Sequence, residues 1–188
     1  MVAVLPKWRR ILLIACCNLL ALLCVQLRAA TAPELEYQVK AVFLFHFTQF
    51  VEWPAGAMRD PGAPFVISIL GPDPFGEFLD EAVAGEQASG RAIVIKRYAQ
   101  VADLEPSHIL FVHESLLPQL GDILSEAQRS HTLTVGDAPD FAARGGMVRF
   151  QTVAGKVRFL INLESAQAAQ LTISSKLLRR ATIVKGRG

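Results

Sequence analysis

Short, almost wholly apolar segments alternate with helix-like segments along most of this 188-residue chain. The clearest apolar segments are 64–70 and 108–112, and 131–135 reads as a further strand. Strands that are buried on both faces read as near-continuous apolar runs, and they belong to parallel sheets covered by helices. The alternation therefore predicts an α/β fold, a single-domain three-layer sandwich built on a mostly parallel sheet.

Turn and cap signals add the remaining elements. A strand is predicted at 91–98, and a β-hairpin at 146–152 and 156–163 contributes an antiparallel edge. Helices are predicted at 34–51, 74–86, 114–129, near 141, and at 164–178. Asp73 suits the N-cap of the second helix and Pro74 its first position. No internal repeat and no interdomain linker is present, so we expect one domain.

The first thirty residues have the pattern of an export signal. Three basic residues (Lys7, Arg9 and Arg10) precede an apolar run from Ile11 to Val25. Fifteen residues suit the core of a secretory signal and fall short of the ~20 needed to span a bilayer. Small residues follow at Ala29 and Ala30. We therefore predict a signal peptide at 1–30 and a periplasmic mature domain at 31–188, with lipidation at Cys16 or an uncleaved anchor as the less favoured alternatives.

Removal of this segment changes what the chain can do. All three cysteines lie within it, so the mature domain would have no disulfide, thiol catalysis or cysteine metal site. The charge also changes sign, because 15 basic residues then face 17 acidic ones. Several of the remaining basic residues cluster near the C-terminus, where they suit the end of the last helix, an anionic lipid or an acidic partner. An acidic exported body argues against nucleic acid as a partner.

Residues for catalysis or metal binding are poorly arranged. The histidines of the mature domain (His46, His108, His113 and His131) show no i, i+3 or i, i+4 spacing, so we expect no metal site. The serines lie outside any G-x-S-x-G turn. Asp137 follows a predicted strand, where α/β enzymes often place catalytic groups, but a role in the turn is the plainer interpretation. We therefore predict a protein that is not an enzyme and needs no cofactor.

The segment Gly71-Pro72-Asp73-Pro74-Phe75-Gly76 occupies a strand-to-helix turn, the position of phosphate loops. Asp73 would oppose an anion there, and two prolines remove backbone donors. A capped turn is favoured, but a neutral or cationic small ligand near Gly71, Asp73 and Asp137 stays open.

The first helix carries the strongest functional signal. From Val39 onward it is apolar nearly all round, so it is either deeply buried or covered by something besides its own domain. Spacings of three and four connect a mostly aromatic ladder that would suit an interface, namely Lys40, Phe43, Phe47, Phe50 and Trp53.

These residues resemble the opening signature of the YfiR family, which reads here as Val39-Lys40-Ala41, Phe43-Leu44, Phe47, Phe50 and Trp53-Pro54. Four further blocks are similar to the family and keep its order: the Gly71–Gly76 turn, Ile109–Val112, the run 157–163 and the run 171–178. The resemblance covers about residues 34 to 184.

The resemblance implies a small periplasmic α/β protein that regulates by contact. Its expected partner is the periplasmic sensory region of an inner-membrane diguanylate cyclase, which it would hold inactive and so limit biofilm formation. An OmpA-like outer-membrane lipoprotein is implied as a second partner, and a homodimer as the assembly. The type member carries disulfides in its mature domain and this chain cannot, so redox-linked control does not transfer.

Two sets of site residues follow. The aromatic ladder is the predicted partner-binding surface, on which Trp53→Ala is expected to weaken association. Candidate ligand-binding residues are Gly71, Asp73 and Asp137, with Arg158 and Asn162 as polar positions in an otherwise apolar strand. They belong to the alternative function, a periplasmic small-molecule sensor that acts on another partner.

Overall fold

The computed structural model describes residues 32–58, 60 and 62–186. Its helices are α1 (Ala32–Phe50), α2 (Glu77–Val83), α3 (Leu120–Arg129), α4 (Leu163–Ala168) and α5 (Ser175–Leu178), with 3₁₀ turns at Ala55–Met58, Val101–Asp103 and Glu114–Gln119. Its strands are β1 (Val51–Glu52), β2 (Phe65–Leu70), β3 (Gln87–Ala88), β4 (Arg91–Tyr98), β5 (Ile109–Val112), β6 (Leu133–Gly136), β7 (Val148–Val153), β8 (Lys156–Asn162), β9 (Thr172–Ile173) and β10 (Thr182–Val184).

The main sheet has the strand order β10-β8-β7-β6-β5-β2-β4-β3. Strands β4, β2, β5, β6 and β7 run parallel, so their carboxyl ends share one edge. β8 returns antiparallel to β7 with Gln151 opposite Arg158. The α/β class and the mostly parallel sheet predicted from the alternating pattern are confirmed.

Alternate side chains of the central strands enter two separate cores, as the period of two requires. In β5, Ile109 and Phe111 join the larger core, which contains buried residues of α1, α2, α4 and α5. Leu110 and Val112 join a smaller core formed with α3 and the 3₁₀ turn before it. The sheet therefore lies between two helical layers, which is the predicted three-layer sandwich.

The C-terminal segment differs from the prediction of one helix at 164–178. That prediction was wrong. Helix α4 ends at Ala168, Thr172 and Ile173 form strand β9, and a separate helix, α5, begins at Ser175. Gln170 has a positive φ of 61°, and the β-branched pair Thr172 and Ile173 then hydrogen-bonds antiparallel to β1, with Ile173 opposite Val51. A strand partner more than a hundred residues away leaves no trace in local periodicity.

The hairpin is not the outermost part of its edge. β10, which the sequence analysis did not predict, pairs parallel with β8 and covers it. At the opposite edge, the two-residue strand β3 pairs antiparallel with β4.

Two further helix predictions needed correction. Asp73 does not cap α2, because its Oδ1 accepts from the Phe75 amide at 2.8 Å and closes a local turn, while α2 begins after Gly76. The short helix predicted near Phe141 is a series of turns around its buried ring. A Cβ on Gly146 would lie 2.2 Å from that ring, so only glycine permits this close approach.

The residues from Pro33 onward form one compact unit. The predicted signal peptide at 1–30 lies outside the described residues and stays a prediction. In the part of the chain that the structure describes, no helix combines the length and the hydrophobicity of a membrane span.

Candidate functional site

A polar cleft lies at the carboxyl edge of the parallel strands. It has a volume of about 380 Å³ and is formed by the first half of α1, the turns after β5 and β6, and the strand β7. Its lining residues are Glu36, Tyr37, Lys40, His113, Glu114, Asp137 and Arg149 to Thr152. Open α/β sheets commonly bind ligands at this edge, so its chemistry has functional interest.

Lys40 is the electrostatic centre of the cleft. Only 3% of the residue is exposed, and its Nζ lies 2.9 Å from Asp137 Oδ2 and 2.6 Å from Glu36 Oε1. The same Nζ lies 4.2 Å from the centroid of the Tyr37 ring, within cation–π range. A buried ammonium requires such partners because desolvation is costly. The network therefore fixes α1 to the turn after β6.

Tyr37 completes the network as a hydrogen-bond donor. Its hydroxyl donates to Asp137 Oδ2 at 2.8 Å. Burial, and then the hydrogen bond to Asp137, raises the pKa of Tyr37 above its ordinary value. The phenol therefore keeps its proton at physiological pH, and Asp137 accepts from both Tyr37 and Lys40.

An aromatic groove of about 560 Å³ lies farther along α1, between its second half and the C-terminal segment. We define it by its lining residues: Phe43, His46, Phe50, Phe159, Lys176, Leu177, Arg179 and Arg180. The aromatic rings and Leu177 supply apolar surface, and the three cations belong to α5 and the two residues after it. This combination suits a partner that presents an apolar side chain beside acidic groups.

An exposed apolar stripe on α1 leads toward this groove. Leu35, Val39 and Val42 expose 50%, 44% and 42% of their surface, and His46 is the next residue at helical spacing. Single exposed apolar residues are ordinary, but three in line on one helix form a patch. The stripe and the groove together form a candidate contact surface on α1.

The predicted partner-binding ladder is only partly available for contact. Phe43 and Phe50 line the groove. Lys40 and Phe47, which were also predicted as interface residues, are buried: Lys40 is held in the ion-pair network, and the ring of Phe47 is stacked 5.8 Å from that of Phe150. Trp53 donates from Nε1 to the carbonyl of His108 at 3.2 Å and packs edge-on against Phe65. Trp53→Ala would therefore disturb packing as well as any contact.

The three candidate ligand residues near the strand ends do not share one cavity in this structure. Asp73 Oδ2 accepts from Arg97 Nε at 2.6 Å. Gly71 packs so tightly that a Cβ there would lie 2.8 Å from Leu116. Among the five predicted ligand residues, only Asp137 lines the polar cleft.

The two polar positions of β8 have different surroundings. Asn162 is 1% exposed, donates from Nδ2 to the carbonyl of Ala142 at 3.0 Å and caps α4 by accepting from the Ser165 amide. Its amide is therefore committed to the backbone. Arg158 is exposed on the hairpin.

One serine–histidine pair resembles half of a hydrolytic site. His113 Nδ1 lies 3.0 Å from Ser115 Oγ, but it also accepts from the Ser115 amide at 3.2 Å, the geometry of a helix cap. A nucleophile needs a base that is oriented by a third group, and no such group contacts His113 in the described residues. That part of the chain also contains no cluster of three or more His, Cys, Asp or Glu residues that could hold a metal ion.

Sequence reasoning missed several lining residues. Tyr37 and Arg149 lie in segments that read as an ordinary helix and strand, and Phe159 reads as core. The basic C-terminal residues were noted, but only the fold shows that three of them border the rings of α1.

The chain belongs to the YfiR/HmsC-like family, whose model matches residues 37–182. This match covers most of α1, the main sheet up to the start of β10, and the C-terminal segment. The family is periplasmic and regulatory. The suspected relationship is therefore confirmed.

No curated protein matches the chain significantly. Two solved structures are similar in part. One is a conserved domain protein from Vibrio cholerae O1 biovar El Tor strain N16961, with 16% identity, a TM-score of 0.48, and coverage of 64% of this chain and 54% of that chain. The other is an ABC domain in complex with L-Trp from Streptococcus pneumoniae, with 12% identity, a TM-score of 0.48, and coverage of 64% and 55%. This chain spans about half the length of each.

Proposed function

We propose that this protein is a periplasmic negative regulator that binds the periplasmic sensory region of an inner-membrane diguanylate cyclase and lowers cyclic di-GMP synthesis. The observation that carries the proposal is the family match over residues 37–182. Binding of this kind requires a stable scaffold with an accessible contact surface, and it requires no catalytic group.

The contact surface that best suits this role is the apolar stripe of α1 together with the aromatic groove. The stripe exposes Leu35, Val39 and Val42, which can be covered by apolar side chains of the cyclase. The rim of the groove carries Lys176, Arg179 and Arg180. We therefore expect acidic residues around the apolar anchor on the cyclase side.

Two finer expectations accompany the proposal. An OmpA-like outer-membrane lipoprotein would release the cyclase by competing for the regulator, and the regulator would form a homodimer. Both would use contact surfaces of the same kind, because an exposed apolar stripe favours association over solvation.

The cellular test compares cyclic di-GMP in the native host with the gene intact, deleted and restored. We expect a rise on deletion that is reversed by the exported protein but not by a version without residues 1–30. A deletion strain with unchanged cyclic di-GMP under several growth conditions would contradict cyclase repression.

A binding test uses the purified mature chain and the periplasmic region of the cyclase. Val42→Glu places a charge on the stripe without touching the core, and we expect at least about a tenfold loss of affinity. Val94→Glu is the matched control, since Val94 is similarly exposed, at 38%, but lies on β4. Equal affinities of the two variants would remove the stripe from the interface.

A further inference from the structure

The polar cleft contains charged groups that the fold itself does not use. Lys40 is shared by Glu36 and Asp137, so those three charges are mutually engaged. Arg149 is different: it forms no ion pair with a described carboxylate, and its buried Nε has no hydrogen-bond partner there. A half-buried guanidinium without an acceptor is costly, and a bound carboxylate would relieve that cost.

Glu114 is the second group available for a ligand. It lies at the start of the 3₁₀ turn after β5, is exposed and lines the same cleft as Arg149. No hydrogen bond or ion pair engages its carboxylate within the described residues. The cleft therefore offers one uncommitted cation and one uncommitted anion.

The charge balance restricts the class of ligand. Three carboxylates line the cleft (Glu36, Glu114 and Asp137), against the two permanent cations Lys40 and Arg149. A simple anion would be attracted by Arg149 and repelled by the surplus negative charge, whereas a simple cation would leave Arg149 without an acceptor. The lining is mostly polar, which disfavours an apolar ligand.

We propose that the polar cleft is a binding site for a small zwitterion, with the ligand's carboxylate on Arg149 and its ammonium group facing Glu114. The volume of about 380 Å³ accommodates a molecule of a few heavy atoms with its hydration. The site is distinct from the aromatic groove and does not depend on the proposed partner, so its test contains no cyclase.

The test uses isothermal titration of the mature chain with three related probes. L-Serine carries both charges, L-glycerate replaces the ammonium group with a hydroxyl at the same configuration, and ethanolamine lacks the carboxylate. We expect saturable binding of L-serine at millimolar concentration or below, and binding at least about tenfold weaker for each of the other two.

Three variants localise the binding. Arg149→Gln is expected to abolish L-serine binding. Glu114→Gln, at an exposed position that should leave folding intact, is expected to weaken the binding of L-serine while leaving that of L-glycerate unchanged or tighter. Arg129→Gln is the control for lost charge, since this arginine lies on α3 with 68% of its side chain exposed. The Arg129→Gln variant should bind L-serine as the wild type does.

The proposal would be overturned by any of three results: no saturable binding of L-serine, equal binding of L-glycerate, or unchanged L-serine binding in both Arg149→Gln and Glu114→Gln. Thermal unfolding of each variant separates a lost site from a lost fold, and Glu114→Gln keeps the test decisive if Arg149→Gln does not fold.

Discussion

The polar cleft and the aromatic groove lie along the same helix but are built by different forces. The first half of α1 gives Glu36, Tyr37 and Lys40 to the cleft, where charge-assisted hydrogen bonds fix the side chains. The second half gives Phe43, His46 and Phe50 to the groove, where rings supply apolar area. One helix thus presents two kinds of surface: charged groups suited to directional contact, and rings suited to broad apolar contact.

Phe47 provides the strongest way to test this comparison, because its ring lies 5.8 Å from that of Phe150 in the cleft and 6.0 Å from that of Phe159 in the groove. Phe47→Ala should lower the free energy of unfolding by about 3–5 kcal/mol, since it leaves a cavity beneath both surfaces. Denaturant unfolding measures the loss. Leu35→Ala on the exposed stripe should change stability by no more than about 0.5 kcal/mol. Similar losses for the two variants would mean that α1 does not separate a buried face from an exposed one.

Asp137→Ala should have the next largest effect and should act on the cleft alone. It removes the acceptor of both Tyr37 and Lys40, but Glu36 still pairs with the ammonium. We expect a loss of about 2–3 kcal/mol, somewhat below the usual result of breaking a buried pair. Glu126→Ala removes a surface pair with Arg129 and is the control, with an expected change below about 1 kcal/mol.

A cleft whose ion pairs are dispensable would tolerate Asp137→Ala as well as it tolerates Glu126→Ala. In that case, the rigidity that we assign to the cleft would have to come from packing, as it does in the groove.

The smallest expected effect is a loss of folding stability at acidic pH. It arises in a third region, the amino end of β5. His108 Nδ1 accepts from the Val66 amide at 3.0 Å, and burial, the largest cause, lowers the pKa of His108. As the pH falls, His108 therefore takes up a proton in the unfolded chain before it does so in the folded protein. This contribution to stability is complete above the ordinary value of 6.5 and is lost as the pH falls through the lowered value of the folded protein.

Thermal unfolding between about pH 7.5 and 5.5 checks this sign, because most carboxylates titrate below that window. His108→Asn retains a side-chain acceptor but does not titrate, so its stability should be flatter with pH than that of the wild type. Identical profiles would assign the acid sensitivity to other groups.

The alternating pattern was sufficient to predict the parallel core. β2 and β5 read as strands from their own residues, because strands that are buried on both faces are almost entirely apolar. The segment after Ala168 was not predictable in the same way. Its composition favours a helix, but Ile173 pairs with Val51 as part of a strand. These two residues come together only in the folded chain.

The candidate sites also combine features that were predictable from the sequence with features that were not. The aromatic character of α1 was evident from the sequence, but which rings are buried depends on which side of the helix meets the sheet. Phe47 meets the sheet and Phe43 borders the groove, although both occupy ladder positions. The partnership of Lys40 with Asp137 spans 97 residues, and no local signal predicts it.

By itself, the sequence determined the α/β class, the strand-rich core and the family, because these depend on composition and on patterns within a few residues. Tertiary structure alone decided that Lys40 is an internal ion-pair centre, that Asn162 is a helix cap, and that the C-terminal cations border an aromatic groove. Those roles depend on distances between atoms that are remote along the chain, and such distances exist only once the sheet has ordered the elements around it.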